Sequence, residues 1–139
     1  MADITAAMRD YLEADATVAA QVGTRVRRGH GLMSDRQQSY IVIQKTSDAP
    51  EPHQGGVTDL VFARVEVHCY AQSRYKANLA SEAVKGRLDG ASGVTIGDSS
   101  VVVDYIQLED RRELDFLPTD GGEMGEFRDL CTYTIWYRG

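Results

Sequence analysis

The residues in this sequence best suited to chemistry stand together. Glu66, His68, Cys69 and Tyr70 lie within RVEVHCYAQSRYKANLASEAVKGRLDG at 64–90. A thiol beside an imidazole, with a carboxylate two residues away, has the parts of a nucleophile, a base and an acid. The pattern around them argues otherwise. Val61, Ala63, Val65, Val67, Cys69 and Ala71 alternate with Phe62, Arg64, Glu66, His68 and Tyr70, and period two over that length predicts a β-strand. Successive side chains of a strand point to opposite faces, so the imidazole and the thiol diverge. Cys69 is expected in the apolar row as a small hydrophobe. His68 is expected on the opposite face, pairing across strands with Asp or Glu.

Other constellations are weaker. His30, His53 and His68 are the only histidines, and no two share the short spacings of a metal site; there is no CxxC. RVRRGH at 25–30 is the one basic cluster. It suits a phosphate backbone or an acidic partner, but it lacks interleaved aromatics for stacking on bases and reads better as an arginine-protected strand edge. DGGEMG at 120–125 has the glycines of a phosphate loop, yet its acids repel phosphate and no helix start follows. GxSxG, HExxH and the EF-hand pattern are absent. Glu109, Asp110, Glu113 and Asp115 surround Arg111 and Arg112, an arrangement that suits mutual salt bridges or a charged subunit contact.

The elements that position these residues follow from periodicity and punctuation. Asp3 is expected to cap a helix with an apolar stripe of Ile4, Ala7, Met8, Tyr11 and Leu12. Asp15 caps a second short turn through Ala16–Val22, stopped by Gly23. Arg25–Arg28 reads as a short strand and Tyr40–Lys45 as a longer one. The segment 47–59, with two prolines and two adjacent glycines, reads as a loop. After the strand at 60–71, Ser73 caps a helix whose stripe is Tyr75, Leu79, Ala80, Ala83, Val84 and Leu88, ended by Asp89-Gly90. Short and long strands are expected at 94–96, 101–110 and 127–138, with a polar loop over 111–126. Strands joined by loops favour antiparallel pairing. The expected fold class is α+β: a mostly antiparallel sheet with two helices on one face. The other face, with Phe62, Tyr70 and Trp136, is either wet or covered by a neighbouring subunit.

The chain has 139 residues and a net charge of −6, which suits one domain and argues against tight, sequence-independent DNA binding. The N-terminus, MADITAAMRDYLEAD, lacks the basic start and apolar block of a signal peptide. No apolar run approaches the roughly 18 residues of a membrane span. Cys69 and Cys131 belong to no spaced motif and are expected as buried, reduced thiols.

The early helix followed by DATVAAQVGTRV at 15–26, YIVIQ at 40–44, the 64–90 stretch, IQLEDRRELDF at 106–116 and LCTYTIWYR at 130–138 together resemble the tail-completion or tail-terminator proteins of long-tailed bacteriophages and gene-transfer particles. The resemblance runs from about Ile4 to Arg138. It departs before the second strand, where the family often has a proline and this chain has Arg36-Gln37-Gln38-Ser39. The resemblance implies a non-enzymatic virion protein of the tail or neck, assembled in the host cytoplasm, without cofactor or metal. It implies a homo-oligomeric ring, usually a hexamer, at the head-proximal end of the tail tube. Such a ring ends tube polymerisation and joins the head. The implied partners are other copies of the chain, the tail-tube protein and a head-completion, stopper or adaptor protein of the neck. DNA would pass through without specific binding, and no membrane is involved. The residues expected at subunit or partner contacts are Arg64, Glu66, His68, Tyr70, Arg111, Arg112, Glu113 and Asp115. The alternatives are another neck component, a small ligand-binding or hydrolytic domain around His68, Cys69 and Glu66, or a nucleic-acid module using Arg25, Arg27 and Arg28.

Overall fold

The computed structural model of the chain describes residues 4–29, 38–53, 56–96, 101–114 and 127–138; for 47–53 and 56–60 it describes the backbone alone. The elements run α1 (Ile4–Glu13), α2 (Ala16–Val22), β1 (Val26–Arg28), β2 (Tyr40–His53), β3 (Gly56–Ala71), α3 (Arg74–Leu88), β4 (Val94–Ile96), β5 (Val101–Glu113) and β6 (Phe127–Arg138). The six strands form one sheet in the order β1-β2-β3-β6-β5-β4. The class is α+β, as expected. All pairings are antiparallel except β1 with β2, which is parallel and joins only three residues of each strand.

Three helices pack on one face of this sheet. The alternation in β3 is the reason: Ala63, Val65, Val67 and Cys69 are wholly buried beneath them. The same inward row continues in β6 with Cys131, Tyr133, Ile135 and Tyr137, and in β2 with Ile41 and Ile43. From above come Ile4, Met8 and Leu12 of α1, Val18 and Val22 of α2, and Ala80, Val84 and Leu88 of α3. Helix α1 touches both β1 and β4, which stand at opposite ends of the strand order. The sheet therefore curls around the helical layer. No helix among the described residues is long and apolar enough to cross a membrane.

The helix caps are those the sequence predicts. Asp15 accepts the Thr17 amide at 3.2 Å, and Ser73 accepts the Lys76 amide at 3.2 Å. Gly90, at φ 82, takes the left-handed turn after α3, and its amide donates to the Ile106 carbonyl. Asp3 lies outside the described residues.

Three expectations are corrected. Within the expected loop at 47–59, residues 47–53 and 56–59 are strand. The β2–β3 ladder continues through Pro50↔Val61 and Pro52↔Val57 to His53↔Gly56, with a register shift at the prolines. β1 pairs only with Ile41–Ile43, so among the described residues β2 is an edge beyond that point and tolerates prolines, which lack the donor that a second neighbour would need. Strand β5 runs on to Glu113, so Arg111, Arg112 and Glu113 belong to a strand rather than to the expected polar loop. Tyr75 is 72% exposed. It sits nine residues before Val84, about half a helical turn out of phase, and the buried stripe is the smaller set Ala77, Ala80, Ser81, Ala83, Val84 and Leu88. Replacing Ser73 by Ala should remove one satisfied amide at the start of α3 and cost about 1 kcal/mol. Urea unfolding checks this, with the midpoint lowered and the m-value unchanged.

Candidate functional site: the two faces at the end of strands β5 and β6

Strand β5 carries two register shifts, between Val103 and Tyr105 and between Leu108 and Asp110. Each inserts one residue and reverses the face of everything that follows. The inward positions are consequently Val101, Val103, Ile106, Leu108, Arg111 and Glu113, and the outward ones Val102, Tyr105, Gln107, Asp110 and Arg112. Arg111 is thereby aimed under α3 while its neighbour Arg112 faces outward.

Under α3, Arg111 meets Asp129 of β6, which has no exposed surface. Asp129 accepts from Arg111 Nη2 at 3.2 Å, from Ser81 Oγ at 2.6 Å and from Arg74 Nη1. Arg111 also donates to Ser81 Oγ at 2.7 Å and pairs with Glu82, while Arg74 Nη1 lies 3.1 Å from Glu113. The Glu82 carboxyl is held below its ordinary range by its hydrogen bond from Arg111. This network ties both halves of α3 to the ends of β5 and β6. The sequence reading missed Asp129, Arg74 and Ser81. The signal was present, because Asp129 shares the parity of Cys131, Tyr133, Ile135 and Tyr137. A carboxylate in an apolar row requires a cationic partner.

The outer face is built in rows across adjacent strands. Tyr105, Trp136 and Phe62 form an aromatic row, with ring centroids 6.1 Å and 5.7 Å apart. Next come Gln107, Thr134 and Arg64, then Asp110, Thr132, Glu66 and Gln44. A further row is Arg112, Leu130, His68 and Val42, and the last is Arg128, Tyr70 and Tyr40. Tyr70 stacks on Tyr40 at 4.6 Å and takes a hydrogen bond from Arg128 at 3.0 Å. Asp110 and Arg112 pair at 2.7 Å. His68 meets no acid across strands. Its neighbour is Glu66 of the same strand, with Nε2 3.6 Å from the carboxylate oxygen, and neither ring nitrogen has a hydrogen bond.

Of the residues expected at contacts, Arg64, Glu66, His68, Tyr70 and Arg112 thus share the outer face, while Arg111 and Glu113 lie on the helical face. Asp115 lies outside the described residues, as do His30 and the 120–125 segment. Arg25 donates to the Ser39 carbonyl at 2.8 Å, and Arg27 and Arg28 are both engaged in interactions of their own.

Cys69 and His68 fall on opposite faces, as predicted. Cys69 is fully buried and its thiol is pushed well above its ordinary pKa, chiefly by burial and then by Cys131 and Asp129. Burial also pushes Cys131 up, to about 11. Thiols held protonated are poor nucleophiles. A cleft of about 680 Å³ opens among the helices, lined by Tyr11, Asp15, Thr17, Glu82, Arg87 and Asp89, and neither Cys69 nor His68 reaches it. No group of metal-ligating residues is present among the described residues.

No protein-family model matches the chain, and no curated protein matches it. Among solved structures, a chain described as "Virion of native gene transfer agent (GTA) particle" is similar, with a TM-score of 0.70 at 19% sequence identity. The alignment covers 98% of this chain and 95% of that one. At that identity the likeness shows a shared fold.

Asp129→Ala leaves two cations facing a void; because Arg74 and Arg111 keep some solvent contact, the cost should be about 3 kcal/mol, read by urea unfolding. The His68 pKa lies below 6.5, chiefly through burial and then Arg128, with Glu66 opposing. The folded chain therefore binds fewer protons there than the unfolded one, and its stability is complete above pH 6.5 and declines as the pH falls below that value. His68→Gln should flatten this part of a plot of melting temperature against pH.

Proposed function

We propose that this protein is a structural component of a virion particle. In this reading it forms a ring, a hexamer, at the head-proximal end of a tail tube, where it ends tube growth and joins the tail to the head. The observation that carries the reading is the fold likeness to a virion chain across nearly the full length of both. The ordered sequence pieces that resemble tail terminators lend the narrower role its support.

The outer face suits such a role. A ring from one subunit type needs two different surfaces that meet head to tail and close under rotation. One side of this sheet is filled by helices, and the other carries an aromatic row beside charged rows, with no helix across it among the described residues. Arg64, Glu66, His68, Tyr70 and Arg112 are proposed at contacts with a neighbouring copy or another tail component. Arg111 and Glu113 act indirectly, by fixing the strand from which Arg112 projects. The remaining partners are the tail-tube protein and a stopper or adaptor of the neck, with DNA passing through the ring unbound. The activity proposed is assembly rather than catalysis, in keeping with a thiol and an imidazole that point apart.

The test is electron microscopy of particles produced without this protein. Overlong tails lacking heads are the expected outcome. Tails of normal length carrying heads would overturn the role, and normal tails separated from heads would move the protein to another position in the neck.

A further inference from the structure

On the outer face Asp110 is paired with Arg112 and Asp104 with Arg138, while Arg128 donates to the Tyr70 hydroxyl and Glu66 lies 3.6 Å from His68. Arg64 has no such partner. It is exposed, and no acid pairs with its guanidinium among the described residues. Its strand neighbour Thr134 is 1% exposed, and the Thr134 hydroxyl has no hydrogen-bond partner. The adjoining row holds Phe62, Trp136 and Tyr105, the last 42% exposed. An unmatched guanidinium beside aromatic rings fits a carboxylate carried next to a large apolar side chain.

The sequence contains such a run just past the end of β5, where Asp115 stands between Leu114 and Phe116 and Leu117 follows. Leu114 is 38% exposed, and its amide is tied to the Arg128 carbonyl. From the level of Arg128 to that of Trp136 is eight residues of strand, about 27 Å. Phe116 is two residues beyond Leu114, a reach of about 7 Å. The run cannot reach the aromatic row of its own chain.

We propose that the Arg64 and Trp136 rows receive the 114–117 run of a second copy, Asp115 on Arg64 and Phe116 against the aromatic rings. This rests on the reading of the chain as a self-assembling subunit. The contact joins two different patches and is therefore head to tail, the kind that closes into a ring when the rotation permits.

The chain's single tryptophan is Trp136, so occupation of the row reads directly in its fluorescence. The full chain, kept dilute, is titrated with a capped synthetic peptide of the sequence RRELDFLPTD, which contains no tryptophan. A saturable change in emission is expected. Binding should weaken by about tenfold or more when the peptide carries Asp115→Asn with Phe116→Ala, and likewise when the chain carries Arg64→Glu. Tyr105→Ala, at an exposed position, serves as the second variant. Absence of a saturable change overturns the proposal, as does equal binding by the wild-type and Arg64→Glu chains. A chain that self-associates in sedimentation yet ignores the peptide loses this contact and keeps the ring. A chain that takes the peptide, while particles lacking it still build normal headed tails, keeps the contact and loses the terminator role.

Discussion

The position of Asp129 constrains much of this structure. It is a carboxylate in an inward row, wholly removed from solvent, and an uncompensated charge there would cost several kcal/mol. Its partners come from three places: the first residue of α3, a serine two turns further along α3, and an arginine of β5. Apolar packing sets α3 on the sheet but is indifferent to small sliding along it. The three hydrogen bonds are directional, so they fix where along the sheet the helix lies. They also fix the register of β5 at the end where the ladder has already shifted twice.

The second shift, between Leu108 and Asp110, matters to both faces at once. Without it Arg112 would point inward and Arg111 outward. With it, Arg111 completes the network under the helix and Arg112 pairs with Asp110 outside. One inserted residue thus assigns two adjacent arginines to different work: one holds the fold together, and the other belongs to the exposed surface.

What was legible in the sequence follows from how local its cause is. The clean alternation of β3, the Asp15 and Ser73 caps and the stop at Asp89-Gly90 depend on a few neighbouring residues, and the structure reproduces them. The divergence of His68 from Cys69 was legible for the same reason. The long β2–β3 hairpin was not, because Pro50 and Pro52 read as breakers unless one knows that β1 pairs no further than Ile43 and, among the described residues, leaves that edge open. Nor were the faces of β5, since a bulge is written in the partner strand's register as much as in its own residues. Tyr75 stands at helical spacing from Leu79 yet lies outside the buried stripe, which small residues occupy. Asp129 was the one long-range feature that parity alone could have exposed.

The curl of the sheet sharpens the division between the two faces. Because α1 touches both ends of the strand order, the concave side is filled by this chain's own helices, and the described apolar rows of β2, β3, β5 and β6 are covered. No helix among the described residues crosses the outer face. The burial of His68 and Thr134 there, with their polar atoms unbonded, is a cost that the isolated subunit carries without return. The helical side, with its matched buried carboxylate, is complete as it stands, so variation in function should be sought on the outer rows and not beneath α3.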